Sequence, residues 1–316
     1  MARTRVIAGG ALAALLLCLP AAAAPAATVP IRVGLGDQSP SIFDQRRFQD
    51  LDIKRVRYFI KWNAIGDDYL LQQADQFVDA ATRHGATVFM TPSSDNLEPG
   101  QARLPSVGAY RRKVGALVKR YRRMGVREWG VWNEANHDSQ PTYRAPRRAA
   151  RFFKTMHGLC RGCTIVALDV LEQVGVEDYV HRFFDALPRR WDRRVRIVGI
   201  HNYADVNRKQ TAGTQEIFRT VRGPGGNRHA RFWITETGGL VAFGDGFPCD
   251  PRRAADRIRY MFASVRKQTA YVDRLYAYAY WGNDCSERFD AGLVNADGSA
   301  RPGYHAFKRA AAGFLR

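Results

Sequence analysis

The chain has 316 residues, 46% of them hydrophobic, with 49 Lys and Arg against 30 Asp and Glu, a formal charge of +19. That length holds one barrel-sized domain or two ordinary ones, and no repeat, heptad or low-complexity tract divides it. The basic runs Arg111–Lys113, Arg120–Arg123 and Arg189–Arg194 fall where helix faces or helix ends are expected and carry no nucleic-acid motif. The charge is therefore read as arginine scattered over helix surfaces, with an acidic polysaccharide as the one polyanionic partner worth testing.

Residues 1–27 read as an export signal. Arg3 and Arg5 supply a positive start, Ala8 to Leu19 an apolar run, and Pro20 to Ala27 a tail of small residues. No later run approaches the ~18 apolar residues of a membrane span, so the remaining chain is expected to be exported, soluble and monomeric. Four cysteines remain after processing, and an even count in an exported protein implies disulfides. Proximity pairs Cys160 with Cys163 and leaves Cys249 for Cys285.

Taken in order, residues 31–36 form a first strand, a short helix covers 46–51, and 55–62 form the second strand. A helix over 67–84 shows apolar residues at Leu70, Leu71, Ala74, Phe77, Val78 and Ala81 and stops at Gly85. Strand three covers 87–90 and is followed by a long loop to Leu104. Ser106 caps a helix that runs to Met124 and ends at Gly125. The fourth strand is the apolar stretch Trp129-Gly130-Val131-Trp132, which runs into Asn133, Glu134, Ala135 and Asn136.

Beyond it, helices over 146–159, 177–187, 214–221 and 252–269 separate strands over 164–168, 195–200, 232–236 and 275–281, and a last helix covers 304–314. Eight strands alternating with helices imply a parallel sheet. Eight such units in one domain, residues 28–316, fit a closed (β/α)8 TIM barrel better than an open sheet. The absence of Gly-x-Gly-x-x-Gly after the first strand removes the main reason to expect a dinucleotide.

Two strands end in a lone carboxylate. Trp132-Asn133-Glu134-Ala135-Asn136 closes the fourth strand and Trp233-Ile234-Thr235-Glu236-Thr237 the seventh. A parallel barrel points every C-terminal strand end at one face, so Glu134 and Glu236 should meet there. A facing pair of carboxylates is what glycoside hydrolysis requires.

These two motifs resemble the paired signatures of clan A glycoside hydrolases, with family 39 and family 5 members looking closest. The resemblance covers nearly the whole chain after the leader. It implies a cofactor-free, metal-free retaining glycosidase that acts by double displacement on a poly- or oligosaccharide. Glu134 would be the acid/base, Glu236 the nucleophile, and Asn133 the partner of the sugar 2-hydroxyl. Arg57 resembles the strand-two arginine that supports the nucleophile, and His201 and Tyr203 the strand-six pair beside it. Trp281 falls where the clan often places a sugar-stacking tryptophan.

Chemistry gives independent reasons for these types. Arg57 would keep Glu236 ionised, while burial and the charge of Glu236 would raise the pKa of Glu134. A transglycosylase would use the same residues. A non-catalytic carbohydrate-binding barrel is the rival from another class, and the presence of both Glu residues and Asn133 argues against it. A zinc or redox protein built on Cys160 and Cys163 lacks a second Cys-x-x-Cys and a His cluster.

Overall fold

The computed structural model describes residues 1–2, 29–96, 98 and 100–316. The expected export signal, residues 1–27, falls almost wholly outside them. The described chain runs β1 (Val29–Gly36), α1 (Arg46–Gln49), β2 (Arg55–Lys61), α2 (Asp68–Arg83), β3 (Thr87–Ser93), α3 (Val107–Arg123), β4 (Glu128–Gly130) and α4 (Pro146–Leu159). It continues through β5 (Thr164–Val166), β6 (Leu168–Leu171), α5 (Val176–Asp185), α6 (Arg189–Asp192), β7 (Ile197–His201), α7 (Tyr203–Arg208), α8 (Ala212–Arg222) and β8 (Arg231–Thr237). Last come β9 (Ala242–Phe243), α9 (Pro251–Arg266), β10 (Val272–Tyr278), β11 (Phe289–Asp290), α10 (Pro302–Ala311) and β12 (Phe314–Leu315).

The sheet runs β5-β4-β3-β2-β1-β10-β8-β7-β6, and every pairing along it is parallel. β5 and β6 are consecutive pieces of one strand. β5 pairs with β4 and β6 with β7, and the intervening Ala167 donates its N–H to the Ile197 carbonyl at 2.9 Å. The sheet therefore closes on itself as a (β/α)8 barrel whose fifth strand is β5 with β6 and whose sixth, seventh and eighth are β7, β8 and β10. β12 adds to the outer start of β1, and β9 and β11 form a separate antiparallel pair above the barrel.

Local sequence explains the helix limits. Asp67, Ser106 and Asp250 cap α2, α3 and α9 by accepting N–H groups at the helix starts. Gly85 and Gly125 follow α2 and α3 at φ +73° and +93°, a conformation costly for any residue with a Cβ. The buried face of α2, with Leu71, Ala74, Phe77, Val78 and Ala81, repeats at helical spacing and packs on the sheet.

The barrel interior is layered. Glu128, at the start of β4, receives both Arg274 guanidinium nitrogens, and the Arg274 guanidinium lies 3.7 Å from the Trp233 ring centre. Phe89, Val166, Trp233 and Tyr276 form the apolar layer. Gly34 leaves room for Tyr276, because a Cβ there would sit 2.6 Å from its ring. Above them lies a polar layer around Arg57, described below.

Several boundaries differ from the sequence reading: the third strand runs on to Ser93, the last helix ends at Ala311 with Phe314 on β12, and two further differences bear on the site. The fourth strand stops pairing at Gly130, and residues 131–136 turn across the barrel mouth. The eighth strand ends at Tyr278 rather than Trp281. The short helix α7 was also not expected. Both expected disulfides are present, Cys160–Cys163 and Cys249–Cys285. Among the described residues no helix is long and apolar enough to cross a membrane.

Cys249–Cys285 spans 36 residues of chain and Cys160–Cys163 spans 3. Replacing the first pair with serine is expected to lower the unfolding free energy by about 4 kcal/mol and the second by about 2 kcal/mol, by loop-closure entropy. Urea unfolding of the two variants checks this; equal losses would rule the loop-length account out.

Candidate active site

Arg57 stands at the centre of the barrel mouth, almost wholly inaccessible at 1% exposure. It comes from β2, and its guanidinium donates to Glu236 of β8 at 2.5 Å, to Asn133 at 2.6 Å and to Asp169 of β6 at 3.1 Å. His201 of β7 lies 3.3 Å from the same guanidinium nitrogen. One side chain thus ties together the second, fourth, fifth, sixth and seventh barrel strands. Gly199 makes the crowding possible, since a Cβ there would fall 2.2 Å from Asp169 Oδ1.

Glu134 follows β4 on a backbone with φ +45°, a conformation that costs a residue with a Cβ roughly 1–2 kcal/mol. Its neighbours fix it there. Asn133 N–H donates to the Pro92 carbonyl, Ala135 N–H to the Asp169 carbonyl, and His137 N–H to Glu134's own carbonyl, all at 2.8 Å. A strained residue held from both sides at a cleft is typical of functional positions. Its carboxylate meets His201 Nδ1 at 3.0 Å. One oxygen each of Glu134 and Glu236 and a His201 nitrogen lie within 4.8 Å of one another. The two strand-end carboxylates do converge.

Tyr203, the first residue of α7, donates its hydroxyl to Glu236 Oε1 at 3.1 Å. Burial and the charge of Glu236 push the Tyr203 phenol well above its ordinary pKa, so it stays a donor. Beneath it Glu172 accepts the Asp205 N–H at 3.0 Å and so caps the start of α7; burial raises its pKa to about 8. Asp37, at the end of β1, accepts the N–H groups of Tyr280 and Trp281 at 3.0 and 3.1 Å and anchors the chain after β10.

The charges do not sit as expected. Burial opposes a charge on His201, but Asp169 and Glu236 outweigh it and raise its pKa to about 10. Burial likewise works to raise Glu134, yet the hydrogen bond and charge of His201, together with the charges of His137 and Arg57, outweigh it and hold the carboxyl below its ordinary value. The expected upward shift of Glu134 is therefore reversed. Asp169 also stays ionised, held down against burial by His201 and Arg57.

Glu134, His201 and Glu236 are close enough to share a cation. Their partners make them an ion-pair cluster instead. Glu236 is already met by the Arg57 guanidinium and the Tyr203 phenol, and His201 Nε2 faces Asp169 at 3.3 Å. The residues present fit neither a metal nor a cofactor better than they fit one another.

These groups floor a cleft of about 460 Å³, lined among others by Asn133, Glu134, Tyr203, Glu236 and Tyr278. Trp281 does not line it. Its ring packs against Tyr280 and the turn at Gly298, and Tyr278 occupies the cleft position instead. Ser93, the last residue of β3, lines the cleft, whereas the described residues of the long loop after it do not. His137, Ser139 and Gln140 after β4 take that part. Asp169, Glu172 and Asp37 were missed by sequence reasoning. Asp169 carries no motif, and its only signal is an acidic residue inside an apolar strand.

No protein-family model matches the chain, and no curated protein matches it. Solved structures do. A glucosidase from Croceicoccus marinus superimposes with a TM-score of 0.67 at 13% identity, over 92% of this chain and 69% of that one. A xylanase from Paenibacillus barcinonensis gives 0.62 at 11% identity, over 88% and 95%. A xylanase from Thermotoga maritima gives 0.60 at 13% identity, over 89% and 95%. The likeness is one of fold. None of the three is named as a family 39 or family 5 enzyme.

The His201 proton has a stability signature. With a pKa raised from 6.5 to about 10 on folding, His201 stabilises the fold fully below pH 6.5, and this is lost as pH rises through 10. The advantage of the wild type over His201→Gln in urea unfolding is expected to shrink from pH 6.5 to 10. An advantage that stayed flat over that window would mean a neutral imidazole.

Proposed function

We propose that the protein is a retaining glycoside hydrolase with Glu236 as nucleophile and Glu134 as acid/base. The observation that carries this reading is the approach of the two carboxylates within 4.8 Å at the C-terminal face of a parallel barrel. Retaining enzymes hold the pair ~5–5.5 Å apart, whereas inverting ones need room for a water at ~6.5–9.5 Å. The fold shared with two xylanases and a glucosidase supports the reaction class.

In the first step a Glu236 oxygen attacks the anomeric carbon while the bond to the leaving oxygen breaks. Arg57 and Tyr203 aim Glu236, each donating a hydrogen bond to one carboxylate oxygen. Glu134 gives the leaving oxygen a proton. His201 Nδ1, 3.0 Å away, is placed to supply that proton along the hydrogen bond. In the second step Glu134 takes a proton from water, which attacks the glycosyl–Glu236 ester and releases sugar of retained configuration. Asn133, held by Arg57, presents its amide to the 2-hydroxyl. The proposal includes export, which the sequence of residues 1–27 and the two disulfides support.

Among the described residues Arg208 is the one lysine or arginine lining the cleft, against Glu134, Glu172 and Glu236, so an acidic polysaccharide finds no cationic track there.

The test is hydrolysis of natural and activated glycosides by the protein, Glu134→Gln and Glu236→Gln, with the product anomer followed by proton NMR. Retained configuration is expected. Glu134→Gln should slow natural substrates by about 10²–10⁴-fold and spare the first step for leaving groups that need no proton. Glu236→Gln should abolish both. Inverted product, or full activity in either variant, would remove the role assignment.

A further inference from the structure

The cleft has two unlike sides. Ser93 of β3 and residues that follow β4 and β6 give it a polar side, with Asn133, His137, Gln140 and Gln173. The opposite side, from the chain that follows β8 and β10, presents Leu240, Phe243, Phe247 and Phe289, with Tyr278 at its foot. Phenylalanine and leucine offer no hydrogen bond. A sugar hydroxyl laid against them would lose water without gaining a partner, whereas hydrocarbon or an aromatic ring gains from the same contact.

This apolar side is a built structure. Phe243 of β9 and Phe289 of β11 are register partners whose rings meet edge to face at 6.0 Å. Phe247 folds back on Phe243 through a 2.8 Å backbone hydrogen bond. Arg288 and Arg253 each support one ring, lying 5.4 Å from the centres of Phe243 and Phe247. Phe289 continues inward to meet Tyr203 edge-on at 5.6 Å, so the wall reaches the nucleophile's own hydrogen-bond donor. Cys249–Cys285 and the Arg301–Asp290 ion pair fix the hairpin to the barrel. Phe243 nevertheless keeps 40% of its surface exposed, beside Phe247 and Phe289 in the cleft lining.

Polysaccharide grooves hold several sugars in a row and need polar partners along both walls, with flat aromatic faces as platforms. Here the rings meet one another edge-on, no tryptophan lines the cleft, and the residues that line one wall from Leu240 to Phe247 are all apolar. The volume of about 460 Å³ lies in the range of small-molecule sites.

We propose that the substrate is a glycoside with an apolar aglycone, its sugar on the polar side over Glu134 and Glu236 and its alkyl or aryl group against the phenylalanine wall. This rests on the glycosidase reading above. The bond from the anomeric carbon to the aglycone oxygen breaks, Glu236 takes the sugar, and the Glu134 proton leaves with the aglycone as an alcohol or phenol.

The experiment compares the methyl, octyl and phenyl glycosides of one cleaved sugar with an oligosaccharide of that sugar, using wild type, Phe243→Ala and Phe247→Ala. The exposure of Phe243 makes its variant foldable, which circular dichroism and thermal melting verify. For wild type, kcat/KM for the octyl or phenyl glycoside should exceed that for both the methyl glycoside and the oligosaccharide by about tenfold, since burial of even two methylenes is worth that much. Octyl preference alone identifies an alkyl aglycone and phenyl preference alone an aryl one. Each phenylalanine variant should lose at least five-fold more on the favoured glycoside than on the methyl one, chiefly through KM. Preference for the oligosaccharide, or a preference that survives in both variants, would overturn the proposal. Failure of the glycosidase reading shows separately, as no sugar released from any substrate. In that event calorimetric binding of octyl glucoside below its micelle concentration decides, with weakening by Phe243→Ala supporting the wall and equal affinity for methyl glucoside overturning it.

Discussion

The buried guanidinium of Arg57 is the interaction on which the mouth of the barrel depends. Desolvating an arginine costs several kcal/mol, and the cost is recovered only where its donors meet well-placed acceptors. Arg57 finds them on Glu236, Asn133 and Asp169, which arrive from three other strands. Closure of the barrel and assembly of the site are therefore one event. The strands cannot move apart without stranding a charge, and the carboxylates cannot converge without the cation between them.

The opposite end of the barrel uses the same device for another purpose. Glu128 and Arg274 pair at the strand starts, with Arg55 3.9 Å from Glu128, and Trp233 lies beneath the Arg274 guanidinium. Nothing there borders a cleft, so this pair plugs the barrel. Between the two ionic layers the aromatic rings of Phe89, Trp233 and Tyr276 keep water out. That dry layer lets Arg57 act strongly on its partners, because the effective dielectric stays low.

Most of the barrel was legible in the sequence because each element carries a local signal. Pro146 to Leu159 is helical at the expected limits, Asp67 and Ser106 cap the helices they were expected to cap, and Glu134 and Glu236 share a face because parallel strands must end together. Asp169 was not legible, since it interacts with residues 32 to 112 positions away and sits on a strand broken at Ala167. Trp281 was misplaced for a related reason. The apolar run Leu275 to Trp281 looks continuous, but Asp37 captures the Tyr280 and Trp281 amides and turns the chain after Tyr278. Local pattern reports composition, whereas the end of a strand is set by which distant acceptor takes the next N–H.

The location of one proton shows the same limit in the chemistry. Two facing carboxylates suggest that one of them holds a proton, by the logic of desolvation and like charge. That logic assumes no third titratable group, and His201 supplies one. Packed between Asp169, Glu134 and Glu236, it gains more from carrying charge than Glu134 gains from being neutral. The polar layer then holds two cations, Arg57 and His201, against three carboxylates, and is one charge from balance. In the proposed reaction, attack by Glu236 on a sugar would consume one of those negative charges and remove part of what holds the proton on His201.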